Sequence, residues 1–467
     1  MDFLMLGISI LLLLVLIVKF KLNTFVALII SAFVLGLLLG MPLYSTDGKD
    51  IASAITGSQG MGNVLGGNAI IFIFGGMIGR LVADAGGSYK IAKTLIDWFG
   101  LKRLQWAVLI ASFIIGISMI FGVGMVLLIP IVFAVAIEAG VPLLYLGISM
   151  TAALSSAQGF LPPQPAPTAV ANALGANIGL TLIFGLVTAI VTAVIAGPVF
   201  TKLAQKYAPD AFTEKKYIAA VGEIKEYDMD KTPNFAISVL TSIFPLIFMI
   251  IATIYKMFNW KNSIMPAKPS FIDTLVNFLS TPTTAMTISL IFAIFTMGIF
   301  RKKTGDEIAH SLSDAVLAVA PILLIVGAGG ALRGVLVESG LSDQVAKMFQ
   351  ASGHMSPTML IIFGWAVASV LRVSVGSATV AGMTAAGIMT SVVASQSAND
   401  PKIAVFVALS IGAGSLIASH VNDAGFWIFK EFFDITVKQT FQIWTVLETI
   451  ISVVGLGVIL LLSTFFG

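Results

Sequence analysis

Apolar runs of about 20 residues recur from one end of this chain to the other, and several of them are interrupted by polar, Gly-rich or Pro-rich breaks. About 20 helical residues cross a hydrocarbon core of roughly 30 Å. Backbone that leaves the helix at that depth must have its amides satisfied by protein or by a water-filled cavity. The runs therefore predict an all-α polytopic membrane protein, and the breaks mark where it does something other than span. Clear spans are expected at 2–19, 22–42, 66–86, 178–200, 234–257, 274–300, 314–338 and 442–464.

Composition agrees. The chain of 467 residues is 58% hydrophobic and only 10% charged, with a mean hydropathy of +1.01. A soluble domain of this length needs a far more charged surface. The net charge of +3 gives no sign of a nucleic-acid partner. Cysteine is absent, which excludes disulfides, thiolate metal sites and cysteine nucleophiles. The segment from Met1 to Phe20 has no positive n-region and no small-residue cleavage site, so it reads as an uncleaved first helix.

Four stretches need more than a simple crossing. The stretch 104–138 carries Phe121-Gly122-Val123-Gly124 near its middle, and 357–396 carries Val373-Ser374-Val375-Gly376-Ser377-Ala378. Both are expected to be re-entrant hairpins. The stretches 143–173 and 403–433 contain polar breaks, Ser155 to Pro165 and Ser419 to Gly425, and are expected to be crossing helices unwound at those breaks. The layout is then ten crossings plus two hairpins. With the N-terminus outside, 17 of the 26 Lys and Arg fall on inside segments and 6 outside, the bias that the positive-inside rule demands. The hydrophilic stretch 201–233 becomes a cytoplasmic linker between a first half, 1–200, and a second, 234–467. The piece Ile51 to Val64 is weakly amphipathic and is expected outside, near the membrane surface.

The halves resemble each other at a constant offset of 254. Gly75-Gly76, Asp84-Ala85-Gly86, Ser88 and Ile91-Ala92-Lys93 correspond to Gly329-Gly330, Glu338-Ser339-Gly340, Ser342 and Val345-Ala346-Lys347. Further along, Gly124 is matched with Gly376, and Gln158-Gly159-Phe160 with Ala424-Gly425-Phe426. The two copies enter from opposite sides, so the expectation is an inverted repeat of about five helices plus one hairpin each. Such repeats place substrate and ion sites at their interface near mid-membrane.

Polar groups at that depth are costly, and their presence suggests function or internal pairing. The second hairpin offers Arg372, Ser374, Gly376, Ser377 and Thr379. Glycine lets backbone approach a ligand, exposed helix N-termini attract anions, and an Arg fork suits a carboxylate. The alternative is a packing turn in which Arg372 pairs internally. Gly122 and Gly124 are the corresponding candidates in the first hairpin. In the second broken helix, Asn422 and Asp423 are candidate Na⁺ ligands, Asp423 is a candidate proton or cation site, and His420 is a candidate titrating group. The alternative is that His420 and Asp423 only cap and orient the break. In the first broken helix, Gln158, Gly159 and Gln164 are candidate substrate contacts beside four prolines that cannot continue a helix. Arg80 with Asp84, and Arg333 with Glu338, read as scaffold pairs or end anchors. There is no zincin motif, Walker A sequence or thiol pair, and only three histidines, so nothing points to an enzyme or a resident cofactor.

At these residues the sequence resembles the gluconate permease (GntP) family of bacterial organic-anion symporters, over nearly the whole chain. The most specific pieces are Gly159 to Thr168 (GFLPPQPAPT), Gly376 to Ala381 (GSATVA), Ser419 to Trp427 (SHVNDAGFW) and Trp444 to Gly455. The resemblance implies the ion transporter superfamily fold, with inverted repeats, hairpins and dimeric elevator motion. It implies a multi-pass protein of the bacterial inner membrane that carries small organic anions such as gluconate-like sugar acids with H⁺ or Na⁺, and a homodimer. The family pattern tends to place His where this chain has Gln158 and Gln164, an acidic residue at Gly122 and Gln at Val375. An amino-acid symporter of the same fold, carrying a substrate such as D-serine, is the second reading. A cation/proton antiporter is the third, and of its required midplane acids only Asp423 is well placed.

Overall fold

Long apolar runs leave the backbone one way to satisfy its own amides, and every regular element among the described residues is a helix. The computed structural model describes residues 2–46, 49–213, 232–258, 271–340, 356–397, 402–421 and 423–466. Asn422, most of the expected linker, and Ser342 with Val345-Ala346-Lys347 of the repeat lie outside the described residues.

The first half runs α1 (Asp2–Leu14), α2 (Thr24–Leu38), a short α3 (Ile51–Thr56), α4 (Met61–Asp84), α5 (Gly87–Phe99), α6 (Leu104–Ser118), α7 (Phe121–Ala139), α8 (Leu143–Phe160), α9 (Pro165–Ala173), α10 (Ile178–Val194) and α11 (Phe200–Tyr207). The second runs α12 (Phe235–Phe258), α13 (Phe271–Ser280), α14 (Pro282–Ala293), α15 (Gly305–Glu338), α16 (Pro357–Val375), α17 (Ala378–Ser397), α18 (Lys402–Gly414), α19 (Ala424–Phe433), α20 (Val437–Thr440) and α21 (Val446–Phe466). Among the described residues six helical stretches are long and apolar enough to cross a membrane, with seven shorter apolar helices beside them. The chain is a multi-pass membrane protein.

Helix ends are set by local chemistry. Asn23, Asn177 and Ser356 each accept a first-turn amide, and Thr304 with Glu307 forms a reciprocal capping box that starts α15. At 34 residues α15 is about 51 Å long at 1.5 Å per residue, well beyond a hydrocarbon core. It packs along α4, its sequence counterpart, and the two form the seam between the halves.

Several expectations shift here. The first hairpin turns at Met119-Ile120, both extended, so Phe121-Gly122-Val123-Gly124 is the first turn of α7 and not the tip. The second turns at Gly376-Ser377, with Val373, Ser374 and Val375 still helical, and α16 and α17 lie side by side. The first break is shorter than expected. Ser155 to Phe160 stay helical and only Leu161 to Gln164 unwind, because Pro162 and Pro163 remove donors while Pro165 suits a helix start. The second break is longer, beginning at Ser415, with Ala418 at φ 47°. The matched segments Gln158-Gly159-Phe160 and Ala424-Gly425-Phe426 thus sit on opposite sides of their breaks. The helix ends at Phe160 and Gly414 are the positions that keep the offset of 254. The expected span 274–300 is divided by Thr281-Pro282 into α13 and α14. The piece from Ile51 is amphipathic: Ile51, Ala54 and Ile55 are buried against Leu332, Val335 and Leu336 of α15, while Ala52 and Thr56 are exposed.

Candidate substrate site

A cavity of about 380 Å³ opens where the second hairpin turn, the second break, and the starts of α7 and α19 converge. That volume falls within the usual range for small-molecule sites. The N-terminal ends of α7, α17 and α19 all face it, through Phe121, Ala378 and Ala424. Helix N-termini carry partial positive charge, so the cavity is prepared for an anion before any side chain is counted.

Arg372 is the fixed cation. It lies on the last turn of α16 and is 3% exposed. One terminal nitrogen donates to the Gly376 carbonyl and the other to Asp423 Oδ2, while Nε is buried without a partner. Gly376 has φ 79°, a left-handed conformation that favours glycine and ends α16 beneath the guanidinium. Asp423 caps α19: its Oδ1 accepts the Gly425 amide at 3.0 Å, and its Oδ2 also accepts from Ser419 Oγ. Ser419 Oγ in turn accepts the Trp444 indole N–H at 2.7 Å. A buried ion pair with this many further hydrogen bonds is held in one geometry. The internal pairing weighed for Arg372 is therefore real, and it sits inside the cavity.

Glu448 completes the set and was not singled out by the sequence reading. On α21 it lines the same cavity, is 1% exposed, accepts a hydrogen bond from Ser155, and leaves Oε1 buried without a partner. The signal was available: it is the lone acidic residue in the apolar run 442–464, and an ionisable group within a span is a candidate by default.

Seven of the sequence candidates line this cavity: Arg372, Gly376, Ser377, Thr379, Gly122, Gln158 and Asp423. Gln158 accepts the Phe121 amide at 2.9 Å through Oε1, which anchors the start of α7 and leaves Nε2 as a donor. Gly122 faces open space, with the nearest side-chain atom 3.9 Å from where a Cβ would stand. Among the described residues the other candidates do not line this cavity. Gln164 is buried elsewhere and donates to the carbonyls of Gly116, Ile117 and Met119, holding the end of α6 against the break. A Cβ on Gly124 would meet Leu154 at 2.9 Å, and one on Gly159 would meet Leu416 at 2.5 Å, so both serve close packing. Ser374 Oγ turns back to the Val370 carbonyl, and His420 Nε2 lies 3.1 Å from the Val373 carbonyl; neither lines the cavity. No cluster of three metal-ligating side chains occurs among the described residues. Arg80 pairs with Asp84 and also with Asp314 of α15, as a scaffold reading expects.

Comparison with known proteins agrees with this architecture. A likeness of fold alone links the chain to the Alcanivorax borkumensis YdaH transporter, a solved structure described as having an unusual topology. The TM-score is 0.63 at 14% identity, covering 94% of this chain and 98% of that one. The relation by sequence is far nearer. A gluconate permease of Bacillus licheniformis is 47% identical over the full length of both chains. A high-affinity gluconate transporter of Escherichia coli K12 is 40% identical over 99% of each. An L-idonate transporter of the Gnt-II system from the same organism is 38% identical over 98% of each. The family model described as GntP family permease matches residues 1–465, and the chain belongs to that family.

Proposed function

We propose that this chain is a secondary symporter that carries gluconate-like sugar acids or other small hydroxylated carboxylates with protons. The observation that carries the reading is Arg372: a buried guanidinium in a cavity fed by three helix N-termini, with one N–H unsatisfied. A substrate carboxylate engages that fork, while Ser377, Thr379 and Gln158 meet hydroxyls. The names of the relatives, gluconate permease and L-idonate transporter, support this substrate class.

Protons are favoured over Na⁺ by the state of Asp423, whose two oxygens are both engaged by protein donors. Glu448 has an oxygen to spare and is the group that takes the proton. Alternating access carries the hairpin and broken-helix elements against the α4–α15 seam. The lysine and arginine distribution supports an N-terminus outside a bacterial inner membrane, and the family resemblance supports a homodimer.

A second reading rests on the Arg372–Asp423 pair. A zwitterionic amino acid such as D-serine could place its carboxylate on Arg372 and its ammonium on Asp423. Uptake into proteoliposomes decides between them, with sugar acids, glycerate and D-serine offered under separate H⁺ and Na⁺ gradients. Accumulation of gluconate driven by a proton gradient is the expected result. Accumulation of D-serine alone, or dependence on Na⁺ alone, refutes the corresponding part.

A further inference from the structure

A second cavity, of about 400 Å³, shares no lining residue with the first. It is bounded by α4, α9, the start of α14 and the outer part of α15. Its polar lining is Asn63, Asn68, Asn172, Thr281, Thr283 and Arg333, with no carboxylate among the lining residues. Asn172 donates to Asn68 Oδ1 at 2.8 Å, and Asn68 donates to the Val64 carbonyl, so the amides on α4 and α9 are held as a unit.

Arg333 is the only charge in this lining. Its stem rests on the α17 backbone: a Cβ on Gly387 would stand 3.5 Å from the Arg333 Cβ. Its Nε is buried without a hydrogen-bond partner, and no carboxylate among the described residues pairs with it. An arginine that merely anchors a helix end extends its whole head into water or headgroups. Here part of the head is withdrawn from water, which costs free energy until a partner arrives.

We propose that this cavity is a second anion site, which takes a hydroxylated carboxylate at a place separate from Arg372. The Arg333 fork holds the carboxylate, and the amides and threonine hydroxyls of the lining hold the hydroxyls. The class of ligand rests on the transport reading given above. The site lies beyond the first break along α9, as Asp423 and α19 lie beyond the second, so the two cavities flank the two unwound segments. The second site captures substrate on one side of the membrane before it reaches Arg372, or receives it afterwards.

Equilibrium binding of labelled gluconate to purified protein tests this, with uptake kinetics in proteoliposomes alongside. The wild type is expected to show two classes of site. Arg372→Gln should remove one and Arg333→Gln the other, with Arg333→Lys restoring part of the loss. For uptake, Arg333→Gln should raise KM about tenfold or more, the scale of a lost charge-assisted contact, with kcat within about twofold. An unchanged isotherm and KM in Arg333→Gln overturns the proposal. If Arg333→Gln does not yield monodisperse protein, the pair Asn63→Leu and Thr283→Val must weaken the same class, and an unchanged isotherm overturns it equally. The two readings separate cleanly. A single class that Arg333→Gln removes and Arg372→Gln leaves intact would leave the second site standing without the transport reading. A single class that Arg333→Gln leaves intact would do the reverse.

Discussion

Asp423→Asn is the substitution in which structure and transport are most tightly joined. Asn is nearly isosteric, and its one carbonyl oxygen can still accept the Gly425 amide. What it loses is charge, and its amide group then faces two donors, Arg372 and Ser419. Arg372, 3% exposed, would remain a buried cation with only the Gly376 carbonyl in contact. Removing one partner of a buried pair costs about 3–5 kcal/mol. The Asp423 side chain is 16% exposed, so the lower end applies, about 3 kcal/mol. A substrate carboxylate would replace the missing charge and recover most of that. Gluconate should therefore stabilise the variant more than the wild type, with an affinity gain of up to about a hundredfold at 1.4 kcal/mol per decade. Tight binding combined with a lost counter-ion should leave proton-driven accumulation near zero. Thermal unfolding of purified protein with and without gluconate measures the first effect, and proteoliposome uptake the second. A variant as stable as wild type without ligand, or one that accumulates gluconate normally, refutes the reasoning.

Glu448→Gln should retain gluconate exchange across the membrane yet no longer respond to a pH gradient; a wild-type response would remove Glu448 from the proton path. Gln164→Ala should lower stability by about 1–3 kcal/mol, because three carbonyls at the end of α6 lose their donor. The KM of that variant should not move, and a selective rise in KM at unchanged stability would return Gln164 to the site. Glu307, at the exposed start of α15, is held below its ordinary value chiefly by the Thr304 backbone hydrogen bond, then by the Thr304 hydroxyl. It binds fewer protons folded than unfolded, so its contribution is complete above the unfolded value and fades as pH falls through the folded one. Glu307→Gln should flatten the acid limb of the stability curve, and an unaltered limb speaks against the cap.

Much of the architecture was legible because lipid leaves few options. Apolar length called for helices, and the Pro-rich interruption and Gly376 mark an unwound segment and a turn, whereas the Gly-rich Phe121-Gly122-Val123-Gly124 stays helical. At the second hairpin, Arg372 in its apolar run meets partners and Gly376 makes the turn, while Ser374, read beside them, bonds back to its own helix. Positions along the breaks were less legible. Gln158 and Gln164 flank the same prolines, yet one reaches the cavity and the other fastens α6. Which way an amide points depends on the direction in which the chain leaves the break, and that is set by packing between distant helices. Gly124 and Gly159 misled for a related reason, since glycine serves a close helix contact as readily as a ligand. Glu448 was passed over because it sits in an otherwise unbroken apolar run and no interruption drew attention to it.

The charges in the first cavity explain why one acid beyond Asp423 matters. Arg372 and Asp423 neutralise each other, so the pair alone offers an incoming anion no net charge. With Glu448 ionised, a bound sugar acid would bring the cavity to two uncompensated negative charges in a poorly screened setting. With Glu448 protonated, the same event leaves one, facing the N-termini of α7 and α17. In the proposed proton symport, substrate and proton would therefore favour each other, and linkage would make the effect reciprocal. A coupling of about 2 kcal/mol corresponds to roughly a thirtyfold change in either affinity. Gluconate affinity should thus rise on acidification in the wild type and not in Glu448→Gln, whereas Asp423→Asn should keep the pH dependence while losing the charge that Arg372 must surrender before substrate can leave. The two variants separate the proton site from the release step, and a pH dependence lost in Asp423→Asn but kept in Glu448→Gln would exchange the two assignments.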